Sequence, residues 1–247
     1  MTTTAASRHT VRRTVRQFVP PQHGAWAMLL LPYVAGVLAA GFRWPDMPLL
    51  GAWLAGYLMS YFLLQTIKTR RLRRFQQPIY LYAAATAVFV VPVVVACPRV
   101  LLYAPAYAAL LAVNAWHARR RRDRALLNDL ASVAQSCLIV FVVATIAGQP
   151  PAHVATPFLL TLLYFTGTVL YVKTMIRERG NPAYRRASIA FHTAALAVAL
   201  WLGPLAAVVF ALLLARAWLL PHRTLTPKQV GVAEIAASML VLAAAVL

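Results

Sequence analysis

Nine apolar runs follow one another along the chain, near residues 23–41, 48–67, 79–97, 100–117, 128–148, 154–175, 186–201, 203–220 and 230–247. Each matches, or nearly matches, the about 17–25 residues that a helix needs to cross the hydrocarbon core of a bilayer. The pattern predicts an all-α integral membrane protein with about nine transmembrane helices. The seventh and eighth runs are divided only by Gly203 and Pro204, both helix breakers. Ahead of the first run, residues 1–19 hold Arg8, Arg12, Arg13 and Arg16 among threonines with no apolar face. They predict a flexible basic tail on a polytopic domain over residues 20–247.

Polar side chains interrupt the runs mainly at alternate ends. Tyr57, Tyr61, Gln65 and Lys68 fall on one face of the second helix. Asn128, Ser132 and Gln135 do the same at the start of the fifth, and Ser188 and His192 at the start of the seventh. His23 opens the first helix, Lys173 and Arg177 close the sixth, and Arg216, Glu234 and Ser238 lie near the junction of the last two. Two readings stay open. Interfacial Tyr, Trp, Lys and Arg anchor any membrane helix, but Gln, Asn and His stripes confined to one level also describe a polar cavity above an apolar chamber.

On the cavity reading, Gln65, Lys68, Asn128, Lys173, Arg177 and His192 bind substrate. The cations would hold an anionic head by charge-assisted hydrogen bonds. His23 and Asp129 are the candidate catalytic acid or base. The structural alternatives are topology for the cations, a hydrogen-bonded interfacial ring for each histidine, and a favourable place at a helix start for Asp129 and Glu234. Asp123, between Arg122 and Arg124, reads as a surface partner.

Charge sharpens the topology. Of the 24 Lys and Arg residues, 22 fall in the tail and in every second loop, leaving only Arg43 and Arg99 on the other side. By the positive-inside rule the amino terminus is inside and the carboxyl terminus outside. The net charge of +19 is thereby explained without a nucleic-acid partner. At 62% hydrophobic and 12% charged residues, against about 25% charged in soluble domains, the chain is far from soluble composition. The segment Ala25 to Ala40 follows arginines as a signal peptide would, but Pro20 and Pro21 interrupt its approach and the topology works with it retained. Cys97 and Cys137 lie at different depths and are expected to be free thiols. No zinc-like spacing or phosphate loop occurs, and no metal or cofactor is predicted.

A weak repeat is visible. Ile67-Lys68-Thr69 resembles Val172-Lys173-Thr174 at an offset of 105, and Asn114-Ala115-Trp116 resembles Arg216-Ala217-Trp218 at an offset of 102. Four helices return the chain to its starting side, so the matches fit two parallel four-helix repeats plus a ninth helix.

His23-Gly24-Ala25-Trp26, with Arg124-Ala125-Leu126-Leu127-Asn128-Asp129-Leu130, resembles the YwiC-like family of bacterial multi-pass membrane proteins. That resemblance implies a bacterial cytoplasmic (inner) membrane and carries no established activity. More distantly the plan is similar to UbiA-type prenyltransferases, which implies a UbiA-like bundle with chemistry on the cytoplasmic side. Their Asp-rich, Mg²⁺-binding motifs lie in the 2–3 and 6–7 connections. Here those regions read Gln65-Thr66-Ile67-Lys68-Thr69-Arg70-Arg71 and Lys173-Thr174-Met175-Ile176-Arg177-Glu178-Arg179, with one carboxylate between them. The resulting expectation is a protein that binds or processes an isoprenoid or other lipid-like anionic amphiphile, with membrane lipids as its surroundings. Whether a prenyl- or lipid-transferase-like reaction follows is left open. The alternatives are a small-solute transporter or a non-catalytic assembly subunit.

Overall fold

The computed structural model describes residues 18, 20, 23–223 and 226–247, without the side chains of residues 23, 24, 222, 227 and 228. The basic tail therefore lies outside the described residues, apart from Phe18, whose carbonyl accepts from the Tyr82 hydroxyl at 2.8 Å. Among the described residues there are nine helical rods and no strand. They are α1 (His23–Ala40), α2 (Asp46–Thr69), α3 (Leu72–Ala96), α4 (Ala104–Arg119), α5 (Leu126–Ala147), α6 (Ala155–Ile176), α7 (Pro182–Leu202), α8 (Pro204–Leu219) and α9 (Pro227–Val246). Short 3₁₀ turns, Pro98–Tyr103 and Pro151–Val154, lead into α4 and α6. Six of these segments are long and apolar enough to cross a membrane, and two shorter ones, Ala25–Ala40 and Pro204–Leu219, are apolar as well.

Local sequence sets most of the ends. Gly203 stands between α7 and α8 at φ 151°, a backbone conformation that favours glycine, and Pro204 starts the next helix where a missing N–H is harmless. Thr226 and Gln229 form a reciprocal capping box at the start of α9. Two elements differ most from the reading of the apolar runs. The helix expected from residue 79 begins at Leu72, with Pro78 inside it, because the basic and Gln-containing turn before Pro78 continues the rod beyond the apolar stretch. The fifth rod is broken at Leu138 into Leu126–Cys137 and Ile139–Ala147. There the Phe141 N–H donates to the Leu138 carbonyl at 3.1 Å, a tighter 3₁₀-type turn.

The central rods are α1, α5 and α6, packed on one another. Val133, Cys137, Leu160 and Phe165 join Leu31 and Ala35 in one buried cluster, which continues into α7, α8 and α9 through Ala199, Phe210 and Val241. The backbones of α1 and α5 come close enough that a Cβ at Gly36 would lie 3.2 Å from the Val140 Cα. On the other flank, α2 packs on α3 and α4, but α3 buries only Pro78 and Val93. The end carrying Lys68, Asp123 and Arg177 is here called the basic end.

At the opposite end, the Asp46 carboxylate is wholly buried at the start of α2. Its Oδ2 accepts from the Arg43 N–H at 2.7 Å, and its backbone carbonyl accepts from the Tyr33 hydroxyl at 2.8 Å. These bonds fix the α1–α2 turn. Cys97 and Cys137 are both free.

Candidate functional site

A cavity of about 1100 Å³ runs between α1, α2, α3, α4 and α5. Its wall is polar at the basic end, where Gln65, Lys68, Asp123, Arg124, Asn128, Asp129 and Arg177 meet. Further in, Asn114, Ser132 and Gln135 form a middle band. Beyond that the lining is apolar and aromatic, with Trp53, Tyr107, Val93, Leu101 and Val142. The cavity is therefore amphipathic along its length.

Short-range chemistry holds the polar end in shape. The Arg70 backbone adopts the left-handed conformation at φ 57° and its N–H donates to the Thr66 carbonyl at 2.7 Å, stopping α2 just past Lys68. The α4–α5 loop folds back through the Arg122 N–H, which donates to the His117 carbonyl at 2.9 Å. Asn128 pins the same loop by donating its side-chain Nδ2 to the Asp123 carbonyl at 2.8 Å. Asp123 thereby faces Lys68, and the two form an ion pair. Asp123 is thus no mere surface partner of its neighbouring arginines. Across the cavity floor, the nearly buried Lys173 Nζ lies 2.8 Å from the Asp129 Oδ2 and donates to the Arg124 carbonyl at 2.7 Å. The middle band is tied by Asn114 Nδ2, which donates to Ser132 Oγ at 3.3 Å and to Gln135 Oε1 at 3.4 Å.

Four buried polar atoms on residues of the lining have no partner among the described residues: Asp123 Oδ1, Asn128 Oδ1, Asn114 Oδ1 and the Tyr107 hydroxyl. A buried polar group left unsatisfied costs about 1–3 kcal/mol. All four lie along the same cavity.

Of the residues singled out from sequence, Gln65, Lys68, Asn128, Asp129 and Arg177 line the cavity together. Lys173 stands behind the wall as the partner of Asp129. The side chain of His23 lies outside the described residues; Ala25, two residues on, lines the cavity. His192 is elsewhere. Its buried ring packs against α6, where a Cβ at Gly167 would meet Nε2 at 2.9 Å, and Nδ1–H donates to the Ser188 carbonyl at 2.7 Å. Trp53 and Tyr107, whose rings meet edge-to-face at 5.9 Å, were not marked by sequence, because an aromatic in an apolar run reads as ordinary core.

His192 borders a second polar cluster, between α6, α8 and α9. Glu234 is ion-paired with Arg216, and its Oε2 accepts from Thr168 at 2.9 Å and from Tyr164 at 3.2 Å. The Arg216 guanidinium also covers the Tyr171 ring at 4.2 Å. Since α9 begins at Pro227, Glu234 sits in its third turn, beyond the reach of the helix dipole expected for it. Its stabilising partner is Arg216.

These helices and their amphipathic cavity define a multi-pass membrane protein. Residues 19–144 match the family model described as YwiC-like protein. The chain belongs to the YwiC-like family. It is 32% identical over 229 residues to an uncharacterized protein of Haemophilus influenzae, covering 90% of this chain and 94% of that one. It is also 32% identical over 227 residues to the uncharacterized protein YwiC of Bacillus subtilis, covering 90% and 93%. No solved structure matches the chain significantly.

Proposed function

We propose that this protein binds an anionic, lipid-like amphiphile in the cavity, with the head at the basic end and the tail along the apolar wall. The observation that carries this reading is the gradient along a single cavity, from Lys68, Asn128 and Arg177 to Val93, Leu101 and Val142. Positive charge at the head comes from Arg177 and Lys68, with Lys173 held behind Asp129. Among the described residues no three of His, Cys, Asp and Glu are grouped as a metal site would need. If a reaction follows binding, Asp129 is the carboxylate placed beside the head, and His23 is the second group for proton transfer.

In this reading the basic end faces the cytoplasm of a bacterial inner membrane, and the helices follow a UbiA-like plan of two four-helix repeats plus α9. Two paired contacts support the repeat. Asn114 reaches Ser132 from α4 to α5, and Arg216 reaches Glu234 from α8 to α9, each across 18 residues. For orientation, Arg99→Cys and Arg120→Cys are placed separately in a chain lacking Cys97 and Cys137. A membrane-impermeant maleimide labels the first in intact cells, and the second only after permeabilisation. The reverse pattern would overturn the orientation.

The test of binding is mass spectrometry of lipids that co-purify with the wild-type protein and with Lys68→Ala/Arg177→Ala. Both positions are partly or fully exposed, and the thermal unfolding temperature of the variant checks that it folds without the Lys68–Asp123 pair. An anionic amphiphile retained by the wild type is depleted by about tenfold or more, since a hydrogen bond to a charged group is worth about 1.5–3 kcal/mol. Identical lipid profiles would sink the proposal.

The break in α5 at Leu138 favours a second reading, in which a small solute passes along the middle band. Uptake of labelled solute into vesicles separates that reading from ligand binding.

A further inference from the structure

Neighbouring residues of the α6–α7 turn serve different spaces. Arg177 lines the large cavity, whereas Glu178 lines a separate pocket of about 360 Å³ that shares none of the cavity's lining. This pocket lies between the end of α6, the start of α7 and the turn after α8, where Pro221 closes it. Its volume is that of a small-ligand site, about 300–1,000 Å³. From α7, Pro182, Arg185, Arg186 and Ile189 line it at the spacing i, i+3, i+4 and i+7, one face of the helix.

Local bonds set each charge. Gly180 turns the chain at a left-handed φ of 81°. Asn181 then caps α7, its Oδ1 accepting from the Ala183 N–H at 3.0 Å, and its Nδ2 donates to Glu178 Oε2 at 2.9 Å. The carboxylate is thereby held, while no donor among the described residues reaches its Oε1. Arg186 Nε donates to the Pro182 carbonyl at 3.4 Å, and Arg185 Nε is buried with no partner among the described residues. All three charged side chains line one pocket, yet Glu178 pairs with neither arginine. The opposite charges are kept apart.

A plain anion bound here would meet Glu178, and a plain cation would meet Arg185 and Arg186. A molecule that carries both charges avoids both repulsions. Two guanidinium groups, each a bidentate fork, match the oxygens of a phosphate ester. One carboxylate matches one ammonium. With α6 as a membrane span, its end stands at the level of lipid head groups. On the elements that carry the pocket, Ile176, Trp218 and Leu219 are exposed apolar side chains at that same end.

We infer that this pocket is a second binding site, independent of the cavity, for an ammonium-ethyl phosphate group carried as the head of a zwitterionic phospholipid, phosphatidylethanolamine. Arg185 and Arg186 hold the phosphate, and Glu178 accepts from the ammonium. The acyl chains leave past Ile176 and Leu219.

Native mass spectrometry of the full chain in detergent micelles measures binding of dioleoyl phosphatidylethanolamine, with dioleoyl phosphatidylglycerol and free O-phosphoethanolamine as the other probes. Glu178→Gln keeps an acceptor for Asn181 and weakens phosphatidylethanolamine binding by about tenfold, the effect of losing one charge-assisted hydrogen bond. Phosphatidylglycerol, which has no ammonium, is not weakened by Glu178→Gln, and its retention reports that the variant is folded. Arg185→Ala/Arg186→Ala weakens phosphatidylethanolamine by about tenfold or more, whereas Lys68→Ala/Arg177→Ala leaves it unchanged. Phosphatidylethanolamine binding that survives Glu178→Gln, or that falls in Lys68→Ala/Arg177→Ala instead, overturns the inference without touching the reading of the cavity. Equal loss of both lipids in Glu178→Gln also overturns it, as that residue would then act only on the fold. Displacement of the lipid by an equal concentration of free O-phosphoethanolamine keeps the ammonium–phosphate chemistry and overturns its lipid source.

Discussion

Replacing Glu234 by Gln lowers the unfolding free energy of the domain by about 3–5 kcal/mol, the usual consequence of removing one member of a buried ion pair. The Arg216 side chain is 9% exposed and that of Glu234 16%, so water cannot take over the lost charge. The guanidinium would keep only the Tyr171 ring, and Thr168 and Tyr164 would share a neutral acceptor. Reversible denaturation in detergent micelles measures the effect. The apolar double variant Arg216→Met/Glu234→Leu is less destabilised than either single change, because no charge is left stranded. Wild-type stability in Glu234→Gln would show that the pair is not the clamp between α8 and α9 described above.

The second large effect is a split in sign at the other lysine pair. Lys173→Met strands the Asp129 carboxylate beside the head-binding end, so anion binding weakens by about tenfold, in line with the 1.5–3 kcal/mol of a charged hydrogen bond. Asp129→Asn leaves Lys173 uncompensated at the same place and tightens anion binding, while both variants lose stability. Titration of an anionic amphiphile in low and high salt reads the split, which shrinks as screening grows. Loss of binding in both variants would mean that the pair acts only as scaffolding.

The number and order of the rods were legible because a bilayer imposes one length on every apolar run. The break at Leu138 was not, since it falls in an apolar stretch with neither Gly nor Pro to mark it. Within the site, the faces of α2 and α5 were read from helical spacing, and the structure brings Gln65, Lys68, Asn128 and Asp129 to one cavity. What spacing along one helix does not contain is which helices meet. Asp123 was assigned to its sequence neighbours, although its partner Lys68 is 55 residues away. His192 was grouped with the cavity by depth, although it packs on α6 beside the Arg216–Glu234 cluster. Depth is a one-dimensional quantity, and two polar clusters at the same level project onto the same signal.

The unequal burial of the two flanks has a mechanical meaning. With α1, α5 and α6 bound to α7–α9 by a shared core, and α8 tied to α9 by an ionic clamp, that side of the molecule is a stiff keel. The rod α3, with two buried residues in its whole length, is a compliant flap hung on α2. On the membrane placement proposed above, lipid completes that wall, and bilayer thickness and lateral pressure then become inputs to the shape of the cavity.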